Sequence, residues 1–227
     1  PKCKDTQFVL IFLLLTIIFD YFCFPIQIIT MERKRYLIVA MDMGDSAPGT
    51  VFKTLAKSLY KYADIDILSP TFDENDSLEG IGKTKLRDYF LPSWQEVRDS
   101  WNRRKYNPSD RRWIRKNLYR AIKSTIGQKY DGVITFTSMN FFPSIYMGRI
   151  LSRILRIPWS IYSVDGIPSP VEWLEGDHTI HKLLSEHINK SCTKADIIFS
   201  SNEYMMRYQQ QICTDFFRFC THVFKGI

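Results

Sequence analysis

YLIVAMDMGDSAPGTVFKTLAKSLYKYADIDILSP, residues 36–70, is the stretch on which the fold turns. It opens on apolar, β-rich residues, Tyr36–Met41, with no polar side in between, as a strand buried on both faces requires. Pro48 and Gly49 then break the chain ahead of Val51–Tyr62, where apolar residues recur at helical spacing. A second short apolar run, Asp64–Leu68, completes a β-α-β unit.

The same alternation continues outward from this unit. Further strands are expected at Gly132–Phe136, Trp159–Val164, Ile197–Ser200 and His222–Phe224, and helices at Arg111–Ile126, Ser144–Leu155, His178–Ser191 and Glu203–Gln211. Short strands alternating with longer helices predict an α/β domain with a mostly parallel sheet covered on both faces. Thr71–Asp110 breaks the rhythm: an acidic patch at Asp73–Asp76, a short helix expected near Lys85, then a Trp-rich basic run. Long insertions of this kind sit at the rim of α/β domains and often touch ligands. There is no internal repeat.

Length and composition agree with a single such domain. The chain has 227 residues, 45% of them hydrophobic and 24% charged, with 10 Gly and 10 Pro, which excludes a disordered, collagenous or low-complexity polymer. The five cysteines, Cys3, Cys23, Cys192, Cys213 and Cys220, form no Cys-x-x-Cys pair, so neither a zinc knuckle nor a thioredoxin-type site is written here. Reduced thiols are expected.

Residues 1–30 are an apolar leader. Phe8–Phe19 has Thr16 as its only polar residue, and twelve residues of helix span about 18 Å against a hydrocarbon core of roughly 30 Å. Three readings stay open: upstream sequence ahead of a native start at Met31, a signal-anchor, or a cleaved signal peptide. In the anchor reading, Arg33, Lys34 and Arg35 place the rest on the cytoplasmic side. The expected location is therefore cytoplasmic, and peripheral to or anchored in the cytoplasmic membrane.

Three loops carry candidate chemistry. The first strand leads into Gly44, Asp45, Ser46 and Gly49, a glycine-containing turn that either brings backbone N–H groups up to an anionic or sugar ligand or serves as a plain tight turn. It is neither a G-x-G-x-x-G loop nor a P-loop. Tyr130–Ser144 ends its strand in the small polar residues Thr137, Ser138 and Asn140. Ile157–Pro170 ends its strand at Asp165 and Gly166. Ligands in open α/β sheets collect at the carboxyl ends of strands, so Gly44, Ser138 and Asp165 are expected to face one crevice, with the alternative that the Asp165 carboxylate serves only as a turn or cap residue.

The order of these features resembles the N-terminal domain of glycosyltransferase family 4, enzymes of the two-Rossmann GT-B fold. The resemblance rests on the β-α-β unit above, on YDGVITFTS at 130–138, on GRILSRILRIPWSIYSVDG at 148–166, on ADIIFSSNEYMMRY at 195–208 and on THVFKGI at 221–227. It implies a Rossmann-like, three-layer, acceptor-binding domain over residues 31–227 of a retaining enzyme of polysaccharide biosynthesis, moving sugar from a sugar nucleotide to a glycan or lipid-linked acceptor. Many members carry a histidine at the tip of the fifth strand. Here that place is held by Asp165, the one catalytic candidate, as it is in related subgroups. The family's E-x7-E motif and nucleotide-sugar site belong to a C-terminal donor domain, which is absent from this sequence. The resemblance thus implies no cofactor beyond the donor substrate, and a fragment inactive alone.

Two further features complete the reading. His178, His181 and His187 share a predicted helix with Asp177, but the spacing puts His187 elsewhere on the helix and no metal site is expected. From Arg98 to Lys123 there are ten basic and two acidic residues, a net +8 in a chain whose total is +7. On a helical wheel Arg112, Arg115, Lys116 and Lys123 share one side, opposite Ile114, Leu118, Ala121 and Ile122. Either this is a solvated helix face, or Arg103, Arg104, Arg112, Arg115 and Lys116 contact an anionic membrane or a phosphate-bearing acceptor, with Trp101, Tyr106 and Trp113 as interfacial aromatics. No nucleic-acid motif accompanies the charge, so nucleic acid is not an expected partner. The rival to an enzyme is a non-catalytic basic module docking to anionic membrane or polyanion.

Overall fold

The structure, a computed structural model, describes residues 33–73, 78–89, 108–138, 142–174, 176–192, 194–214 and 219–221. In chain order these form β1 (Arg35–Ala40), α1 (Ala47–Tyr60), β2 (Asp64–Ser69), β3 (Gly82–Lys85), α2 (Pro108–Thr125), β4 (Gly132–Thr137), α3 (Phe142–Leu155), β5 (Trp159–Ser163), a 3-10 turn (Val171–Leu174), α4 (His178–Cys192), β6 (Ile197–Ser200), α5 (Glu203–Ile212) and β7 (Phe219–Thr221). The strands lie in the order β3-β2-β1-β4-β5-β6-β7, and each pairing is parallel. This is the Rossmann-like arrangement expected from the sequence.

Strand alternation divides the apolar residues between two cores. Leu37, Val39, Val133, Trp159 and Ile161 face α3 and α4, packing on Ile145, Met147, Leu151, Leu184 and Ile188. Ile38, Ala40, Ile67, Phe136 and Tyr162 face α1, where Phe52, Leu55 and Ala56 meet them. Phe52 stacks on Phe136 with ring centroids 5.2 Å apart. Each large side chain fully buried in this way contributes about 1.5–3 kcal/mol. Among the described residues no helix is long and apolar enough to cross a membrane.

The segment near Lys85 is a strand, not the expected helix. GKTK has no apolar residue to show strand periodicity, and it forms because the exposed backbone of β2 offers Asp66–Ser69 as partners. Its lysines also suit a sheet edge, where charge discourages further pairing. The expected strand at His222–Phe224 lies outside the described residues.

α2 is fixed by contacts that its pattern does not show. Trp113 is buried rather than interfacial, and its Nε1 donates to the Arg87 carbonyl at 2.7 Å. Asn117 Oδ1 accepts from the Arg87 N–H at 2.7 Å, so two turns of α2 clasp the chain beyond β3. Asp110 is buried beside Tyr89, whose hydroxyl donates to it at 2.5 Å. Burial pushes the Asp110 carboxyl up to about 6, with the Tyr89 hydrogen bond pulling in the other direction.

An acid raised in the folded state binds its proton more tightly there, so its contribution to stability is greatest below the ordinary carboxylate range and falls as pH rises through about 6. Asp110→Asn removes that loss. The urea stability of the parent is therefore expected to decline relative to the variant between pH 4 and pH 7; parallel curves would show that Asp110 does not titrate in this window.

α3 approaches the sheet closely at one residue. A Cβ on Gly148 would lie 2.1 Å from Thr135 Oγ1 and 3.0 Å from Trp159 Nε1. Those two atoms are themselves hydrogen-bonded at 2.9 Å in the interior. Gly148→Ala is expected to cost about 1–3 kcal/mol through overpacking, read as a lower urea midpoint at unchanged slope.

Candidate functional site

The winding direction reverses between β1 and β4, the place where α/β sheets open a crevice. β1 leads to α1 on one face and β4 to α3 on the other, so the loops after these two strands part at the carboxyl rim. Two side-chain clusters sit on that rim.

The first is built around Asp42, two residues beyond β1. Its Oδ1 accepts from the Gly44 N–H at 2.7 Å, an Asx-type turn, and also from the hydroxyl of Thr71 in the loop after β2. Its Oδ2 accepts from the Ser46 hydroxyl. Ser46 in turn caps α1, accepting from the Gly49 N–H at 3.1 Å. A side chain at 49 is excluded, since a Cβ there would lie 2.5 Å from the Gly44 carbonyl oxygen. Burial alone would raise the Asp42 carboxyl. The hydrogen bonds from Ser46, Thr71 and Gly44, with the charge of Lys53 nearby, outweigh it and hold the carboxyl below its ordinary range.

Asp45 projects into solvent and pairs with Lys53 Nζ at 3.2 Å, while Asp73 takes the same ammonium at 3.1 Å. Lys53 is buried between them. Of the expected substrate-binding residues in this turn, Gly44 and Gly49 shape the backbone, Ser46 caps the helix, and Asp45 answers a lysine.

The second cluster joins the loops after β4 and β5. Ser138 Oγ donates to Asp165 Oδ2 at 2.5 Å, and Ser163 donates to the Asp165 carbonyl. Ser138 is buried, whereas Asp165 is half-buried at the rim. The loop is clamped from behind by α5. Gln209 accepts from the Ile167 N–H at 3.0 Å and donates to the Ile167 carbonyl at 2.8 Å. Tyr208, which donates to the Pro168 carbonyl at 2.9 Å, lays its ring against Gly166. Tyr162 lies in the core beneath, its phenol pushed up to about 12 by burial and then by the charge of Asp165. A carboxylate held this way at one oxygen can accept a ligand hydroxyl at the other.

Sequence reasoning thus brought Ser138, Asp165 and Gly166 to one place, and the turn of Gly44 to the same rim. Asn140, Arg103 and Arg104 lie outside the described residues. Arg112, Arg115 and Lys116 are exposed on α2. Asp42 and Thr71 were missed. An acid two residues ahead of a loop glycine was the available signal for Asp42; Thr71 had none, because it acts across 29 residues.

The helix histidines take separate roles. His181 Nε2 meets the Tyr208 hydroxyl at 2.8 Å, and half-buried His187 meets that of Tyr146. Burial, with Lys190 adding to it, pushes His187 down to about 4, so its ring is neutral near pH 7. Among the described residues no three His, Cys, Asp or Glu side chains are grouped to hold a metal ion.

No protein-family model matches the chain, and no curated protein does. Solved structures do. The sucrose-phosphate synthase of Thermosynechococcus elongatus superposes with a TM-score of 0.55 at 11% identity, over 83% of this chain and 47% of that one. Phytolacca americana UGT2, solved with UDP-2fluoro-glucose and pterostilbene, gives 0.49 at 12% identity, over 78% and 49%. CalG4, the calicheamicin glycosyltransferase, gives 0.46 at 10%, over 84% and 53%. The chain spans about half the length of these structures. Its fold is the Rossmann-like fold of GT-B glycosyltransferases, carried by the first of these matches; at such identities the likeness is one of fold.

Asp42 offers a test of the rim's construction. A depressed carboxylate adds stability above its ordinary pKa, and that contribution is lost as pH falls through the depressed value. Asp42→Asn is expected to cost about 1–3 kcal/mol at pH 7. The gap to the parent should close on acidification below pH 4. A gap that persists unchanged to pH 2 in urea titrations would show that the charge on Asp42 is not what holds the loops.

Proposed function

We propose that this chain is the N-terminal, acceptor-binding half of a retaining glycosyltransferase of family 4, moving a sugar from a sugar nucleotide to a glycan or lipid-linked acceptor in polysaccharide biosynthesis. The observation that carries the reading is Asp165. It stands oriented by Ser138 on the carboxyl rim of a GT-B-type sheet, beside the crevice where the winding reverses.

In this reading the acceptor hydroxyl is received near Gly44, Ser138, Asp165 and Gly166, and Asp165 orients it by accepting its hydrogen bond. The sugar nucleotide is a substrate, held mainly by a second, donor-binding half. Stabilisation of the leaving diphosphate then falls to donor-half groups, which act where charge develops. What this chain supplies is position: holding the hydroxyl in line with the reacting carbon removes much of the entropic barrier.

The test pairs the chain with a donor-binding GT-B half and follows consumption of UDP- and GDP-sugars over a panel of glycan and lipid-linked acceptors. Asp165→Ala in an active pair is expected to lower kcat/KM by about a hundredfold, the scale of a misplaced reactant. Ser138→Ala should lower it about tenfold, the equivalent of one hydrogen bond of about 1.4 kcal/mol. Parent-like turnover in Asp165→Ala would remove this aspartate from the mechanism.

A further inference from the structure

α2 joins β3 to the parallel strand β4, so it runs back from the carboxyl rim of the sheet. Its first turns therefore lie at the rim that carries Asp42, Ser138 and Asp165. Trp113, Asn117, Ala121 and Thr125 are its buried side. Opposite them, steps of three, four and seven residues bring Arg112, Arg115, Lys116, Tyr119 and Lys123 onto one exposed strip. Ile126, just past the last turn, continues it.

Three observations set this strip apart. A cavity of about 320 Å³ opens against the first turns, lined by Arg111, Arg112, Arg115 and Lys116. Among the described residues, Arg112, Arg115 and Lys116 have no carboxylate partner, and Asp110, the acid of the first turn, is turned inward to Tyr89. Finally, Tyr119 and Ile126 are 75% and 70% exposed, two large apolar side chains in the midst of the cations.

Helix stability does not call for this arrangement. Arg112, Arg115 and Lys116 are neighbouring like charges on one face, and like charges at such spacing repel each other. That cost is relieved when an anionic surface covers the strip.

We propose that the exposed face of α2 docks this protein onto a membrane rich in anionic phospholipid, with the bases on headgroup phosphates and Tyr119 and Ile126 in the boundary between headgroups and acyl chains. The chemistry favours a lipid surface over a single soluble phosphate. The 18 residues of α2 extend about 27 Å, well beyond the reach of one phosphate, and exposed apolar side chains alternating with cations suit an interface that is part water and part hydrocarbon. Docking along α2 would set the rim crevice beside the bilayer. That consequence rests on the transferase reading; the docking does not.

Vesicle sedimentation of the full chain tests it, without any sugar nucleotide, so that failure here leaves the transferase reading untouched. Vesicles of phosphatidylcholine with 30% phosphatidylglycerol, a composition set at roughly the anionic content that attracts basic segments, are compared with pure phosphatidylcholine. Stronger capture by the anionic vesicles is expected, with the excess lost at high salt. The triple variant Arg112→Glu, Arg115→Glu, Lys116→Glu should lower anionic partitioning by about a hundredfold, at about fivefold per cation. Its circular dichroism melt should be no lower than the parent's, since the three side chains are exposed and the change removes like-charge repulsion.

Tyr119→Ser with Ile126→Ser should weaken binding while keeping its salt dependence. Inorganic pyrophosphate at millimolar concentration should leave vesicle binding in place. Equal capture by the two vesicle types, parent-like binding by a folded triple variant, or full displacement by pyrophosphate would each overturn the proposal.

Discussion

A parallel sheet cannot be crossed left-handedly at reasonable cost, and the architecture follows from that constraint. Moving from β1 to β2 places α1 on one face. Moving the other way, through β4, β5 and β6, places the later helices on the opposite face. Where the direction changes, two adjacent loops leave the sheet on opposite sides. The crevice between β1 and β4 is thus a product of handedness, and the clusters at Asp42 and Asp165 are what the chain has put on its rim.

Those clusters also show how polar groups are carried at the edge of an apolar interior. Asp42 is satisfied by a backbone N–H and two hydroxyls, which suffices to keep it ionised against its burial. Lys53 is held between two carboxylates. Asp165 is supported on one side by Ser138, and its loop is fixed by Gln209 through both the backbone N–H and the carbonyl of Ile167. The contrast is with Arg112, Arg115 and Lys116 of α2, which have no carboxylate partner among the described residues. In the sequence the formal charge of +7 is concentrated between Arg98 and Lys123, a segment that includes most of α2.

How much of this was legible depended on the range of the interactions. Strands and helices buried by their own apolar residues could be read directly: Ile38, Phe52 and Ile145 occupy the positions that a doubly covered parallel sheet demands. β3 could not, because GKTK borrows its conformation from the hydrogen bonds of a neighbouring strand. Trp113 could not be placed either. Its indole is drawn inward by the Arg87 carbonyl, a partner 26 residues away. The site divides the same way, with Gly44, Ser138 and Asp165 marked by strand ends, while Asp42 and Thr71 are joined by a contact that no local pattern encodes.

The sequence by itself determined the class of fold, the alternation of its elements, the polar loops at the carboxyl ends of its strands and the segment that concentrates the charge. These follow from periodicity and composition, which are local properties of a chain. Only the tertiary structure decided that Asp165 is oriented by Ser138, that Asp42 ties the loops after β1 and β2 together, and that Tyr119 and Ile126 stand exposed among the cations of α2. Each of those depends on side chains far apart in the chain meeting, or failing to meet, across a packed sheet, and the free energy that selects among such meetings is set by the whole core at once.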